Sequence, residues 1–180
     1  CPHFVCLETA GVAITMSSEA CSIYTQQKNK LFDEALKKGR LRFTENKDNL
    51  IVRNKGIKPI IRAMRKGFSF LMLPDMDFGK KESLFVPFFG VQAATLTAPA
   101  RLTSATNGQI IPVVTCYMPN YKGWRVRFYQ PWENYPGDSI ELATRRMNAF
   151  IEARVLEAPA EYFWSHKRFK TRPEGMPNLY

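Results

Sequence analysis

The chain has 180 residues, of which 45% are hydrophobic and 23% are charged, a balance that excludes a disordered protein and favours one globular domain with a sizeable core. Its net charge of +10 predicts an anionic partner: a phosphate-bearing lipid, a membrane surface, an acidic carrier protein or nucleic acid. No apolar run in the sequence reaches the length of a membrane span.

Predicted helices and strands alternate along the chain. The pattern of apolar residues predicts helices at 7–16, 29–43, 57–64, 93–105 and 139–157. Strands are predicted at 21–25, 49–52, 68–73, 109–118 and 124–130, and the last two are joined by a hairpin loop. We therefore expect an α/β layered sandwich with a mostly parallel central sheet, an antiparallel hairpin near residues 109–130 and flanking helices.

Three of these segments carry more specific expectations. The helix at 29–43 has charged side chains on one face and apolar ones on the other, which are Leu31, Phe32, Ala35 and Leu36. The mostly apolar strand at 68–73 is expected to be buried on both faces of its sheet. Residues 85–90 are expected to form an aromatic turn segment.

His3 and Glu8 form a His-x4-Glu pattern, and the chain has only two histidines. On one continuous helix their side chains would diverge by roughly 140°, so they can meet only if His3 lies in the turn before a helix and Glu8 lies in its first turn. A carboxylate that reaches an imidazole makes the histidine a better general base. From the spacing alone, a capping or hydrogen-bonded surface histidine is the favoured alternative.

Carboxylates and thiols offer two further candidate sites. Asp75 and Asp77 follow the strand at 68–73, at the kind of strand end where α/β active sites form, so they could orient a polar substrate or bind a metal. Ordinary turn chemistry is an equal alternative for both residues. Cys1, His3 and Cys6 could bind zinc, but no second ligand pair has a matching spacing, so small buried thiols are favoured.

Aromatic and basic segments complete the set. The aromatic residues at 85–90 could line a cleft for an acyl chain, although composition alone favours core packing. The C-terminal tail interleaves aromatic residues with cations, which are His166, Lys167, Arg168, Lys170 and Arg172. This pattern suits a membrane interface, phosphate groups or nucleic acid, and a merely solvated basic tail is the alternative.

Short motifs follow one another in a distinctive order and spacing. They are His-Phe-Val-Cys-Leu-Glu at 3–8, Gln-Lys-Asn at 27–29, Arg-Lys-Gly at 65–67, Pro-Asp-Met-Asp-Phe-Gly at 74–79, Phe-Val-Pro-Phe-Phe-Gly at 85–90, Ile-Pro at 111–112 and Tyr-Phe-Trp-Ser-His-Lys-Arg-Phe-Lys-Thr-Arg-Pro-Glu-Gly at 162–175. Through them the chain resembles the late acyltransferases of lipid A biosynthesis, the lauroyl/myristoyl transferases of Gram-negative bacteria. These belong to the lysophospholipid acyltransferase superfamily, and the motif at 162–175 is the most specific match.

This resemblance implies an enzyme that moves a fatty acyl chain from acyl carrier protein to a hydroxyl of an anionic lipid A precursor, at the cytoplasmic face of the bacterial inner membrane. It implies a His-x4-Glu mechanism with His3 as the general base, Glu8 as its orienting partner and Arg40 as an assisting residue. No cofactor, metal ion or nucleic acid is expected. The residues expected to bind substrate are Lys28, Asn29, Asp75, Asp77, Phe88, Phe89, Gly90, His166, Lys167 and Arg168.

The same resemblance bears on the extent of the chain. The family has an N-terminal membrane anchor and a long segment before the histidine, so we expect residues 1–180 to be a single acyltransferase domain, in a fragment that lacks these first elements. We interpret the basic tail at 167–172 as a site for lipid phosphates. The alternatives are a lysophospholipid or ornithine-lipid acyltransferase, which the tail motif disfavours, and a non-catalytic basic module for membrane or nucleic acid, which has no need of the His–Glu pair.

Overall fold

The structure, a computed structural model, describes residues 1–44 and 49–180. The chain divides into two compact units. The N-terminal unit is Glu8–Met72, and the C-terminal unit combines Cys1–Leu7 with Leu73–Tyr180. The expectation of a single domain over residues 1–180 stays a prediction.

The N-terminal unit is built around a parallel sheet. Its strands are β1 (Ala20–Tyr24), β2 (Leu50–Val52) and β3 (Ser69–Leu71), in the spatial order β2-β1-β3. Its helices are α1 (Leu7–Ser17), α2 (Lys30–Arg40) and α3 (Lys58–Arg65), and a short 3-10 turn spans Arg53–Lys55. The first residue of α1, Leu7, is counted with the C-terminal unit. The predicted alternation of strands and helices around a parallel sheet is confirmed in this unit, but β3 is a half-buried edge strand and is not buried on both faces.

Helix α2 turns its apolar side outward. Leu31 is 80% exposed and Phe32 is 57% exposed, whereas Asp33 is only 4% exposed. Asp33 accepts a hydrogen bond from Gln27 N at 2.9 Å and pairs with Lys37 Nζ at 2.6 Å, and the bond from Lys37 lowers the pKa of Asp33. The predicted helix is confirmed, but it ends at Arg40, and these polar contacts draw its charged side inward.

Two antiparallel hairpins and two helices form most of the C-terminal unit. The strands β4 (Ser83–Phe88) and β5 (Val91–Leu96) make the first hairpin, and β6 (Val113–Tyr117) and β7 (Trp124–Phe128) make the second. The helices are α4 (Ala98–Thr106) and α5 (Ile140–Glu157), with 3-10 turns at Pro119–Tyr121, Pro159–Glu161 and Trp164–His166. The second hairpin confirms the prediction for 109–130.

The first hairpin differs from the turn segment predicted at 85–90 and from the helix predicted at 93–105. Only Phe89 and Gly90 form its turn, with φ of 48° and 76°, as a two-residue turn between twisted strands requires. Residues 85–88 therefore belong to a strand, and the first residues of the helix predicted at 93–105 belong to β5. The alanines of β5 favour a helix locally, but pairing with β4 buries Ala93 and Ala94 and overrides that preference.

The core of the C-terminal unit lies between α5 and the hairpin β4–β5. Buried residues on α5 recur every four positions, at Ala143, Met147, Ile151 and Val155. Met147, Ile151 and Val155 pack with Phe4 and Phe88 into one hydrophobic cluster. Phe4 pairs with Tyr162 in an isolated antiparallel bridge, so the first residues of the chain are part of this core.

The helices and the parallel sheet confirm the α/β class. Among residues 1–44 and 49–180, no helix combines the length and apolar character needed to cross a bilayer.

Candidate active site

His3 is held by backbone pairing with the segment around Tyr162. Phe163 N donates to His3 O at 2.9 Å, and Val5 N donates to Glu161 O at 2.9 Å. Helix α1 then begins at Leu7, with Glu8 in its first turn. His3 thus lies before the helix and Glu8 in its first turn, which is the placement that a contact between the two would require, and their pairing stays a prediction.

The carboxylate of Asp75 contacts both the backbone N and the ring Nδ1 of His3. One carboxylate oxygen accepts from His3 N at 2.8 Å, and the other lies 2.7 Å from His3 Nδ1. Asp75 is completely buried and His3 is 8% exposed. The carboxylate therefore fixes both the backbone and the ring of the histidine, so the ring has little freedom to turn.

The charge state of Asp75 determines which ring nitrogen of His3 carries the proton. Complete burial acts to raise the pKa of Asp75, but the hydrogen bonds and charge of His3 outweigh it, and the pKa is lowered overall. The carboxylate is thus ionised near neutral pH and can only accept, so Nδ1 is the protonated nitrogen. Nε2 of neutral His3 then has a lone pair that is free to accept a proton.

Glu8 has a different partner. Its carboxylate accepts from Arg40 Nε at 3.3 Å and from Arg40 Nη2, so the pair is bidentate. The Glu8 side chain is 62% exposed and that of Arg40 is 31% exposed. The carboxylate on His3 Nδ1 is therefore that of Asp75, and catalytic roles for Glu8 and Arg40 stay predictions.

His166 lies next to His3 in the same unit, with the two ring centroids 6.0 Å apart. Its Nδ1 hydrogen-bonds to the Phe163 carbonyl, which can only accept, so Nδ1 is the donor. Nε2 of neutral His166 is then an acceptor. This atom is buried and has no hydrogen-bond partner in the part of the chain that the structure describes. The ring of Tyr162 packs edge-on against His166 at 5.6 Å.

Asp77 anchors the C-terminal segment. Thr171 donates to it twice, from the backbone N at 2.6 Å and from Oγ1 at 2.8 Å, and Gly79 N donates at 2.9 Å. Gly79 has φ of 88°, a conformation that glycine adopts without strain. The two acids of the loop 74–79 thus have separate contacts: Asp75 holds His3, and Asp77 holds the turn and the tail.

Arg168 is part of the core, although the tail was interpreted as a solvated or lipid-binding segment. It is 1% exposed, and its Nη1 donates to Ala94 O at 2.8 Å while Nη2 donates to Thr95 Oγ1 at 2.6 Å. Asn148, fully buried on α5, donates to Pro87 O at 3.0 Å and to Thr95 Oγ1 at 3.2 Å. This network was not predicted from the sequence, in which its one signal is the polar Asn148 on the apolar stripe of α5.

Replacing Arg168 by methionine is expected to lower the free energy of unfolding by about 2–4 kcal/mol, because the variant keeps the aliphatic bulk but removes the donor from buried acceptors. Denaturant unfolding followed by tryptophan fluorescence measures the change. The exposed Lys170→Met variant in the same segment is the control, with an expected change below about 0.5 kcal/mol. Equal stability of the two variants would contradict a stabilising role for the network.

The other predicted substrate-binding residues belong to several different elements. Asn29 is the N-cap of α2, accepting from Phe32 N at 3.1 Å, and Lys28 before it is exposed. Phe88 is fully buried in the core, as the packing alternative expects, whereas Phe89 and Gly90 form the exposed hairpin turn. Lys167 is exposed, with its Nζ 5.6 Å from the ring centroid of Tyr180. Substrate binding by these residues stays a prediction.

The four cysteines are all present as free thiols. All four are free of disulfide bonds, and Cys6 and Cys21 are buried. Burial raises the pKa of Cys6 and raises that of Cys21 to about 11. Within residues 1–44 and 49–180, no group of three or more His, Cys, Asp and Glu side chains is arranged to hold a metal ion.

An α/β fold that holds a histidine against a buried carboxylate is of the class suited to general-base chemistry. The sequence profile of a family described as bacterial lipid A biosynthesis acyltransferase matches residues 1–171. The chain belongs to this family, as its motifs predicted.

Individual relatives agree with the family match. The chain is 36% identical over 179 residues to the lipid A biosynthesis lauroyltransferase of Escherichia coli (strain K12), covering 99% of the chain and 57% of that relative. It is 35% identical to the palmitoleoyltransferase of the same strain over the same shares. It is 32% identical to the myristoyltransferase of that strain over 166 residues, covering 91% of the chain and 50% of the relative. The chain thus spans little more than half the length of the curated relatives it matches.

Proposed function

We propose that this protein is the acyltransferase part of an enzyme that moves a fatty acyl chain from acyl carrier protein to a hydroxyl of a lipid A precursor. The observation that carries the proposal is the contact between His3 Nδ1 and the buried carboxylate of Asp75. A buried, oriented histidine is what a hydroxyl acceptor requires, because the pKa of an alcohol lies far above neutral pH. Family membership supports the choice of substrate class.

In the proposed mechanism, Nε2 of His3 accepts the proton of the acceptor hydroxyl while the hydroxyl oxygen attacks the thioester carbonyl carbon. Asp75 keeps the proton on Nδ1 and stabilises the imidazolium that forms. The tetrahedral oxyanion then collapses and the C–S bond breaks. The imidazolium returns its proton to the leaving thiolate, so the products are an ester and a free carrier thiol. A thioester is already activated, so this reaction needs no cofactor or metal.

We assign His166 to the acceptor side of the reaction. Its buried Nε2 is an acceptor beside His3, and a buried acceptor without a partner carries a desolvation cost. In the proposed complex a substrate hydroxyl displaces the residues that cover this atom and supplies the missing donor. The unpartnered Nε2 supports the expectation that His166 binds substrate, and we propose that Arg168 acts through the packing of the segment that carries His166.

Glu8 and Arg40 are proposed to act as one unit, because each is the other's bidentate partner. In this role Glu8 holds the Arg40 guanidinium, and Arg40 is a candidate donor to the oxyanion, together with backbone N–H groups at a helix start.

Glu8→Gln is expected to lower the transfer rate by about 10- to 100-fold, because Arg40 loses the charged partner that positions it. Steady-state transfer from acyl carrier protein measures the change. Arg40→Met and the double variant complete a cycle, and the double variant should lose little more than the worse single variant. Fully additive losses would show that the two residues act separately.

We propose acyl carrier protein, the anionic precursor and a membrane surface as partners, with no nucleic acid, and the cytoplasmic face of the bacterial inner membrane as the location. The net charge of +10 supports acidic partners.

Mass spectrometry of lipids tests the proposal, after incubation of the intact protein with acyl carrier protein donors and each candidate acceptor. Acylation of the lipid A precursor supports it. Acylation of only a lysophospholipid or a lyso-ornithine lipid would favour the related acyltransferases. Binding to lipid or nucleic acid without any transfer would favour a non-catalytic module.

A further inference from the structure

Positive charge is concentrated in the N-terminal unit. Its sequence, residues 8–72, holds thirteen Lys and Arg against six Asp and Glu, which is +7 of the +10 net charge in 65 of the 180 residues. The longer C-terminal unit carries the remaining +3. A surface for an anionic partner is therefore expected on the N-terminal unit, even though the basic tail lies in the other unit.

Helix α2 adds apolar contact area to this cationic unit. Leu31, Phe32 and Ala35 are exposed on its outer side, and the charged residues exposed on the same helix are Lys30, Glu34 and Lys38. The inner side keeps Asp33 and Lys37, with Lys37 Nζ 5.5 Å from the ring centroid of Tyr24 on β1. A surface helix that turns Leu31 and Phe32 outward and the ion pair of Asp33 and Lys37 inward is the reverse of the ordinary arrangement.

The tail has less free charge than its composition indicates. Arg168 is buried among carbonyl and hydroxyl acceptors, and Arg172 donates to Gln92 O at 2.7 Å and to Pro177 O at 3.3 Å. Lys167 and Lys170 are the exposed cations of the motif. These two lysines are as many as helix α2 exposes, and each cation contributes about 1 kcal/mol near an anionic membrane surface, so the charge of the whole N-terminal unit and not the lysine count favours that unit.

We propose that the outer face of α2 is a membrane-docking face, defined by Leu31, Phe32 and Ala35 with the flanking Lys30 and Lys38, which lies in the interface of an anionic bilayer. Leu and Phe enter the boundary between headgroups and acyl chains, and the lysines meet lipid phosphates. An anionic bilayer matches both the lysines and the apolar side chains of this surface, because it has negatively charged headgroups above an apolar layer. The inference rests on the proposed function, because the acceptor of that reaction is a membrane lipid.

Vesicle flotation of the intact protein tests the docking face. The probe is phosphatidylethanolamine vesicles with phosphatidylglycerol, compared with phosphatidylcholine vesicles. The Leu31→Glu/Phe32→Glu variant is expected to bind the anionic vesicles at least about 10-fold more weakly. The matched control is Leu142→Glu/Leu156→Glu, which changes two leucines of α5 that are 72% and 71% exposed. Equal losses in both variants, or none in the first, would overturn the proposal.

Charge variants separate the docking face from the tail. Lys30→Gln/Lys38→Gln should weaken binding and flatten its dependence on salt, and Lys167→Gln/Lys170→Gln should change both less. A larger loss of vesicle binding in Lys167→Gln/Lys170→Gln than in Lys30→Gln/Lys38→Gln would place the membrane contact at the tail and overturn the assignment to α2. If the Leu31→Glu/Phe32→Glu variant binds vesicles normally but has lost binding to acyl carrier protein, the face docks an acidic protein instead.

The transfer reaction distinguishes this inference from the proposed function. With acceptor dispersed in detergent, the Leu31→Glu/Phe32→Glu variant should keep wild-type turnover, and with acceptor in vesicles it should lose turnover in parallel with binding. If the wild type transfers nothing in either format, the proposed function fails, while vesicle flotation still decides the docking face.

Discussion

Replacing His3 by glutamine is expected to lower the rate of acyl transfer by about 10²–10⁴-fold, the usual contribution of a general base. Glutamine can still donate a hydrogen bond to Asp75, but it has no nitrogen that accepts a proton at neutral pH. The variant therefore keeps much of the local contact and loses the chemistry. Transfer from acyl carrier protein to the precursor, followed by mass spectrometry, measures the change.

Folding must be checked beside activity, because His3 is buried and bonded on both sides. Thermal unfolding of the His3→Gln variant should remain cooperative, with a modest shift of the midpoint. Donor binding should also persist, since the change removes a base and leaves the rest of the chain intact. Turnover within about threefold of wild type in a folded variant would remove His3 from the mechanism, because a lost base costs far more.

The local geometry around His3 could be predicted from sequence because short-range rules determine it. A five-residue spacing can join His3 and Glu8 only through a turn followed by a helix, and the helix begins at Leu7. The hairpin near 109–130 was likewise predictable from turn residues between two alternating strands.

Long-range contacts could not be predicted in the same way. Asp75 lies 72 residues from His3, and no periodicity links the two positions. The loop 74–79 was identified as chemically interesting, but the different contacts of Asp75 and Asp77 depend on which segment packs against each oxygen. Arg168 looked solvated because cations surround it, yet three buried acceptors draw it into the core.

Local helix propensity also gave one incorrect secondary-structure prediction, at the start of the helix predicted at 93–105. The alanine-containing segment after Gly90 has helix propensity, but its alanines pair with β4 as β5. Small side chains there let α5 approach the hairpin, and burial of that face is worth more than the local preference. Helix α2 shows a different case, in which the periodicity was correct but could not give the direction of the apolar face.

Asp75→Asn is expected to reduce the transfer rate by about 10³-fold, because asparagine can donate to Nδ1 and so stabilise the wrong tautomer of His3. In that tautomer Nε2 carries the proton and cannot accept another. The imidazolium formed during attack also loses its counter-charge. Steady-state transfer rates measure the effect, and the KM for the donor should change little because Asp75 is buried and bonded to His3.

A double-mutant cycle separates a positioning role from general destabilisation. If Asp75 acts through His3, adding Asp75→Asn to the His3→Gln variant should cost little further activity. Additive losses would mean that Asp75 contributes through another route. A loss in Asp75→Asn no larger than that in Glu8→Gln would return the orienting role to Glu8.

The pH dependence of unfolding gives an independent readout of the same contact. The pKa of Asp75 is lowered in the folded protein from its ordinary value of 3.8, so folding favours the ionised carboxylate. Its stabilising contribution is complete above that ordinary value and is lost as the pH falls through the lower folded value. Asparagine does not titrate, so the free energy of unfolding of Asp75→Asn should fall less steeply on acidification than that of the wild type. If the free energy of unfolding of the two proteins falls equally steeply with pH, His3 does not hold Asp75 as an anion. The proposed tautomer of His3 would then also be wrong.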